Sequence, residues 1–396
     1  MIVKESNTFI AKVKANLRAQ IKELSIKFFY NELTRKRAMV LANNLLYIQK
    51  NTFRKKIKCN YDIFNYNQLL IDTHFKCDEY YKGNYFYGIS NSIKTFSGFN
   101  DPIKACIEHG VYFGDIVPEI ESYNSGLPAI ITFSDERKKH IRKVTKKPVF
   151  SIGPYISYTK NYCSKEQLES YKNKFGKTLL VFPSHSVDRV RATFNTAEFV
   201  EKIKDFKVTY NFDTVIVCLY YRDIEHGRGK LYEENGFVVT TAGRREDPNF
   251  LGRLKSLISL SDYTMSNSVG THVGYSIVLE KPHMIIPQKT IYEADYEPDL
   301  EQAPELFYTQ SVLDKKEVLD TFTSYSESIT EDQRKVCNKF WGIENVRSSD
   351  EIQFILDFCE KVYRLSKGKE KRYVDSSYKV KEKNTKYKKI LDEAMK

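Results

Sequence analysis

The chain has 396 residues, a length for about two domains, and 41% of them are apolar, 29% charged and 14% aromatic. With 28 Tyr and 25 Phe it is too aromatic for wholesale disorder, and 17 Gly and 11 Pro exclude collagen-like or linker-dominated chains. The net charge of +12 is uneven: residues 1–58 carry about +11 and residues 367–396 about +6, which leaves the middle mildly acidic.

A basic middle would point to a nucleic-acid groove. Basic ends around a near-neutral middle fit a body that touches an anionic surface, so an anionic membrane is an expected partner and nucleic acid is not. No apolar run reaches the roughly 18–20 residues that span a bilayer. Met1-Ile-Val-Lys-Glu-Ser6 lacks the apolar core of a signal peptide, so a cytoplasmic location is expected. Seven scattered cysteines without a Cys-x-x-Cys pattern indicate neither a disulfide framework nor a zinc knuckle.

Ile10, Val13, Leu17, Ile21, Leu24 and Phe28 fall at spacings of three and four, which predicts a helix over 8–28, and a second follows over about 32–48. They form a basic extension over 1–58, either as caps on a domain or as an amphipathic element on an anionic membrane; both can hold. Residues 59–160 read as a first α/β unit. Residues 101–107 look helical, 129–133 form a strand, 134–142 a helix with Ser134 as N-cap, and 148–154 a strand. Polar, lysine-rich residues 159–176 read as the connection between domains.

From 174 to 315 the alternation is regular. Strands are expected at 178–183, 213–221, 237–241, 263–266 and 283–286, with helices at 196–206, 229–235, 249–260 and 270–279 between them. Five such βα units are the signature of a Rossmann-like, doubly wound domain. Residues 316–396 are expected to be helical, ending in a lysine-rich, partly exposed tail.

In an open parallel sheet, ligands bind beyond the carboxyl ends of the strands. The loops there offer Ser184, His185 and Ser186; then Arg222; then Gly243, Arg244 and Arg245; then Ser266-Asn-Ser-Val-Gly-Thr-His272. Hydroxyls, imidazoles, guanidinium groups and a helix start suit a phosphorylated ligand. His185, Ser186, Arg222, Gly243, Arg244, Ser266, Ser268, Gly270, Thr271 and His272 are its candidate contacts. Small residues let phosphate oxygens reach backbone N–H groups, and the helix start adds about half a positive charge. The same stretch also reads as an ordinary Ser/Thr N-cap. Gly-x-Gly-x-x-Gly and the P-loop pattern are absent, as is Asp-x-Asp at the strand ends, so no bound metal or other cofactor is expected and arginines take the phosphate charge.

In the first unit, Ile107-Glu-His-Gly-Val-Tyr-Phe-Gly114 holds an imidazole before two glycines. An imidazole, with an ordinary pKa near about 6.5, suits removal of a proton from a sugar hydroxyl. His109 is the candidate base, and Glu108 acts in its place or orients it. The alternative is a satisfied structural histidine beside a turn.

Ile107–Gly114, Val149-Phe-Ser-Ile-Gly-Pro-Tyr155, Ser261–His272 and Gly274-Tyr-Ser-Ile-Val-Leu-Glu-Lys-Pro282 resemble bacterial capsule and surface-polysaccharide glycosyltransferases of the GT-B architecture, over roughly residues 80–290. The resemblance implies two Rossmann-like domains facing across a cleft, here with added N- and C-terminal helices. It implies a nucleotide-sugar donor in the C-terminal domain and a saccharide or lipid-linked saccharide acceptor on the N-terminal side. The enzyme would be metal-independent and peripheral at the inner face of the cell membrane. The long helical N-terminus, where a first strand is usual, departs from the pattern. Two other classes stay open: a CDP-polyol phosphotransferase of the teichoic-acid type, and a non-enzymatic polyanion- or polysaccharide-binding protein.

Overall fold

The computed structural model describes residues 20, 27–28, 32–52, 61–71, 75–117, 126–187, 190–294, 309–367 and 384–396. The chain is an α/β protein with two parallel sheets. The first has three strands in the order β1 (Ala105–Ile107), β2 (Ala129–Thr132), β3 (Val149–Ser151). The second has five: β4 (Thr178–Phe182), β6 (Thr214–Cys218), β7 (Val238–Thr240), β8 (Tyr263–Ser266) and β9 (His283–Ile285), in the order β7-β6-β4-β8-β9. All five expected strands of the second sheet are present, and helices cover both of its faces.

Alternation along β4 shows why. Leu179 and Val181 pack with Phe199, Ile203, Val215 and Val217 on one face, while Leu180 and Phe182 pack with Leu257, Ile258 and Val273 on the other. Strands buried on both faces read as continuous apolar runs, and that is what the sequence shows at 178–182 and 214–218.

Two expectations change, and one strand pair is added. Residues 101–107 are not helical: Ala105–Ile107, wholly buried, pairs in parallel with Ala129–Ile131 as β1, and a buried run of three apolar residues is a strand flanked on both faces. The expected connection at 159–176 contains a helix, Lys165–Phe175, closed at its start by a reciprocal capping box between Ser164 and Gln167. An unexpected antiparallel pair joins β5 (Val190–Thr193) to β10 (Ile291–Ala294) beside the second sheet. Within the expected lysine-rich, partly exposed tail, the helix Thr385–Met395 buries Tyr387, Ile390 and Ala394. The expected helix over 8–28 lies almost wholly outside the described residues, as do tail residues 368–383.

The C-terminal helices return to the first sheet. In Ser349–Leu365, Phe358 packs edge-on to Phe150 of β3, and Ser349 Oγ donates to the Phe96 carbonyl at 2.8 Å. Arg142 Nη2 donates to the Met395 carbonyl at 2.5 Å. The helix Glu331–Trp341 packs against both Asp135–Val144 of the first layer and Thr271–Val278 of the second. Its Trp341 is fully buried between them.

Candidate active site

The order β7-β6-β4-β8-β9 reverses direction between β4 and β8, so the crevice of the second sheet opens beyond Phe182 and Ser266. Asn267 ties its two lips together. Its Oδ1 accepts from Ser184 N at 2.6 Å and Ser184 Oγ at 3.0 Å, and its Nδ2 donates to Gln288 Oε1 at 3.2 Å.

The helix Thr271–Val278 starts at this crevice. Gly270 precedes it in extended conformation with no side-chain cap on the first-turn N–H groups. A Cβ on Gly270 would fall 2.8 Å from His272 Cε1, so glycine lets the imidazole fold back over the helix start. His272 stacks on Phe182 with ring centroids 5.1 Å apart, and its Nε2 is buried without a hydrogen-bond partner. Burial, with a smaller push from His185, lowers its pKa to about 3. It is therefore a neutral imidazole near pH 7, and positive charge at this point comes from the helix start.

His283 lies beneath, fully buried, with Nδ1 2.8 Å from Thr264 Oγ1 and Nε2 3.1 Å from Ser266 Oγ. Ser266 Oγ also donates to the Ser268 carbonyl at 2.8 Å, so this hydroxyl is committed to shaping the loop. Burial pushes the His283 imidazolium well below its usual range, and nearby His272 adds to the effect. Both histidines take up protons more readily in the unfolded chain. For His272 this contribution to stability is full above pH 6.5 and is lost as pH falls from about 6.5 toward 3, by about 1.4 kcal/mol per pH unit, and buried His283 acts in the same direction. Urea unfolding between pH 7 and 5 is expected to show this slope, and His272→Gln is expected to flatten it. An unchanged slope in the variant would contradict the assignment.

The arginines form a cluster of their own. Arg244 Nη1 and Nη2 donate to Glu225 Oε1 at 3.0 and 2.9 Å, and Arg222 Nη1 donates to Glu225 Oε2 at 3.1 Å. Both guanidinium groups lie over the Tyr221 ring, at 5.1 and 5.0 Å. Glu225 thus holds the place that a ligand anion would take between two arginines.

Two other expected contacts serve the scaffold. Ser186 Oγ donates to Asp223 Oδ1 at 2.7 Å and accepts from Ala192 N at 3.3 Å, so it locks the loop after β4 to β5. Gly243 has a φ of +98°, and a Cβ there would meet Arg253 Nη1 at 2.4 Å; glycine is required by the packing of Arg253. His185 is exposed, with Nδ1 3.0 Å from the Ser186 carbonyl oxygen and its ring 5.0 Å from Tyr220.

The first layer faces this edge. Val111 N donates to Thr271 Oγ1 at 3.2 Å, which sets the His109-Gly110-Val111 turn against the start of the helix Thr271–Val278. His109 packs against Phe86 and Tyr87, at ring distances of 5.6 and 6.1 Å. Tyr87 crosses to the second layer: its backbone N donates to the Arg245 carbonyl at 2.5 Å and its side chain hydrogen-bonds Tyr220. Its φ of 59° is left-handed and costly for a tyrosine, and Gly88 beside it, φ +72°, lies so close to Pro248 that a Cβ would sit 2.2 Å from the carbonyl oxygen.

Glu108 does not face the crevice. It is fully buried and accepts from Arg137 Nη2 at 2.8 Å, Arg137 Nε at 3.1 Å and Thr132 Oγ1 at 2.7 Å. A carboxylate held by a guanidinium fork and a hydroxyl is not available as a base, so that expectation is corrected: Glu108 anchors the strand end that carries His109.

The geometry therefore brings His109, His185, Ser268, Gly270, Thr271, His272, Arg222 and Arg244 to the edge between the sheets. Ser186, Gly243, Ser266 and Glu108 support that edge from behind. Tyr87, Tyr220 and Glu225 belong to it and were not among the expected residues. Tyr220 fell inside the expected strand 213–221, whereas β6 ends at Cys218 and leaves Tyr220 in the strand-end loop; the contacts of Tyr87 with Arg245 and Tyr220, and of Glu225 with Arg244, join residues distant in sequence.

The sequence matches no known protein family and no curated protein. Among solved structures, the chain is similar to an S. aureus MnaA–UDP co-structure at 8% identity and a TM-score of 0.36, over 71% of this chain and 80% of that one. It is similar to UDP-GlcNAc 2-epimerase from Neisseria meningitidis bound to UDP-GlcNAc at 14% identity and a TM-score of 0.37, over 84% and 90% of the two chains. The wall teichoic acid polymerase TagF is similar at 13% identity and a TM-score of 0.34, over 66% and 68%.

Proposed function

We propose that the chain is a GT-B-type glycosyltransferase of bacterial surface-polysaccharide synthesis. It moves a sugar from a nucleotide-activated donor, bound by residues 174–315, to an acceptor hydroxyl presented by residues 59–160. The observation that carries this reading is the uncapped helix start at Gly270–Thr271, set at a topological switch point and hydrogen-bonded to the turn that holds His109. An N-terminus of this kind offers backbone N–H groups and partial positive charge to a phosphate.

In the reaction, the bond between the anomeric carbon and the donor phosphate oxygen breaks as a bond to the acceptor oxygen forms. Negative charge grows on the departing nucleotide. The amides at Thr271 and the guanidinium groups of Arg222 and Arg244 stabilise it, with Glu225 displaced from between them. Neutral His272 and exposed His185 orient the phosphate oxygens by hydrogen bonding. His109 takes the acceptor proton in an inverting transfer. No metal is assigned a role, because arginines and a helix start stand where a metal would otherwise neutralise the diphosphate.

The test is a turnover screen of the full chain with nucleotide sugars and a CDP-polyol, with and without EDTA. Release of nucleotide from a sugar donor, undiminished by EDTA, is expected. Release from the CDP-polyol alone selects the phosphotransferase reading, and loss with EDTA restored by magnesium overturns metal independence. No release from any donor, with a range of saccharide acceptors supplied, removes the enzymatic reading.

A further inference from the structure

Arg245 follows Arg244 in the loop after β7, yet it stands apart from the Arg222–Glu225–Arg244 cluster and turns toward the first layer. Its backbone carbonyl accepts from Tyr87 N at 2.5 Å, which fixes it to the segment Phe86–Gly88. Its guanidinium lies over the Phe86 ring, 4.6 Å from the centroid, and Lys82 Nζ lies over the same ring at 6.0 Å. His109 meets that ring edge-on, with centroids 5.6 Å apart. Phe86 therefore gathers one cation from each layer beside the imidazole assigned to the acceptor hydroxyl.

The charge balance there is positive. Arg245 Nε donates to Glu246 Oε1 at 3.1 Å, whereas Lys82 has no carboxylate within ion-pair distance among the described residues. Neighbouring carboxylates are engaged already: Glu225 with Arg222 and Arg244, and buried Asp247 with Arg253. Lys82 and Arg245 are both half-buried, so their charge is screened less than on open surface. The Arg245 charge also reaches into the edge between the sheets. Burial pushes the Tyr87 and Tyr220 phenols up, and Arg245 works against that rise in both.

A neutral saccharide offers such a pair no countercharge. We propose that the acceptor carries an anionic group, a phosphate or a carboxylate, beside the residue whose hydroxyl reacts, and that Arg245 and Lys82 hold it. Arg245 supplies a fork of N–H donors and Lys82 a point charge. Together they fix which hydroxyl of the acceptor faces His109. The assignment rests on the proposed function for the acceptor role of His109; the anion site itself does not depend on the donor site at Gly270.

The experiment is acetylation footprinting of Lys82 in the full chain, read by mass spectrometry, with glucose-6-phosphate, glucuronate, glucose or UDP added. At least one of the two anionic sugars is expected to slow Lys82 acetylation by at least about threefold near saturation. Glucose is expected to have no effect, and exposed Lys202 on the helix Thr196–Thr209 serves as the unprotected reference. Protection by the phosphate alone assigns the group to a phosphorylated acceptor, and protection by glucuronate alone to an acidic sugar. Calorimetric titration of Lys82→Gln, which breaks no ion pair, repeats the test: the protecting sugar is expected to bind at least about tenfold more weakly at unchanged Tm and unchanged nucleotide affinity. Unprotected Lys82 with every sugar, equal protection by glucose, or equal sugar binding by the variant overturns the proposal. So does protection by UDP as strong as by the sugars, which would place these cations on the donor phosphates. Failure here with nucleotide binding intact leaves the donor site standing; protection of Lys82 without nucleotide binding removes the donor site alone.

Discussion

His109→Ala is expected to lower turnover by about 10²–10⁴-fold with nucleotide affinity and Tm near those of the native chain. The imidazole is half-buried, on the turn that reaches Thr271, and packs on Phe86 and Tyr87. Removing it deletes a proton acceptor without opening a core. Glu108→Gln is the informative control. It breaks a buried ion pair and leaves Arg137 uncompensated, so it should lower stability by about 3–5 kcal/mol. Loss of turnover in His109→Ala at unchanged stability supports the base. A fall in Tm with turnover recovering on cooling makes His109 a structural residue. Loss of nucleotide affinity instead would place it on the donor phosphate.

Trp341→Ala is expected to cost about 3–5 kcal/mol of unfolding free energy. The indole is fully buried, and Phe113 meets it edge-on with centroids 5.6 Å apart. Gly274 of the donor-side helix lies so close that a Cβ there would be 2.1 Å from Trp341 Cγ. The side chain therefore fills the junction between the layers, and its removal leaves a cavity that two different helices border. Urea midpoints report the loss. A cost under about 1 kcal/mol would mean that the layers are held together elsewhere. Gly274→Ala is expected to destabilise as well, by about 1–3 kcal/mol, because the indole has no free volume to give.

Legibility in the sequence followed burial. The central strands β4 and β6 are mostly apolar runs, and the helices between the strands carry a period, so that layer could be read element by element. β1 was hidden because three residues after Asp101-Pro102 are too few for a period to show. The β5–β10 pair was hidden because its strands are far apart in sequence and no turn joins them. The helix Lys165–Phe175 did carry a signal, Ser164-x-x-Gln167, but its face is mostly polar and only Phe175 is buried.

The candidate site was legible to the same degree. The rule that ligands gather at strand ends picked out Gly270, Thr271 and His272, and the structure adds the reason for the glycine. Pairings were not legible. Glu108 meets an arginine from the helix Asp135–Val144, and Glu225, which pairs with Arg222 one turn away on its own helix, is also joined by Arg244 from the loop after β7. Such contacts depend on the folded course of the chain, which local spacing does not encode. Nor does any local pattern foretell a tyrosine with positive φ at Tyr87.

The central claim is that a nucleotide diphosphate binds at the start of the helix Thr271–Val278. Calorimetric titration of UDP, GDP and CDP, with CMP for monophosphate-activated donors, into the native chain and into Gly270→Val tests it most directly. A Cβ at residue 270 would collide with the His272 ring and disturb the amides that the phosphate needs. Saturable binding of at least one nucleotide by the native chain is expected, with at least about a tenfold loss in the variant at unchanged far-UV circular dichroism. Binding that is equal in both proteins, or absent for every nucleotide in a folded native chain, would contradict it.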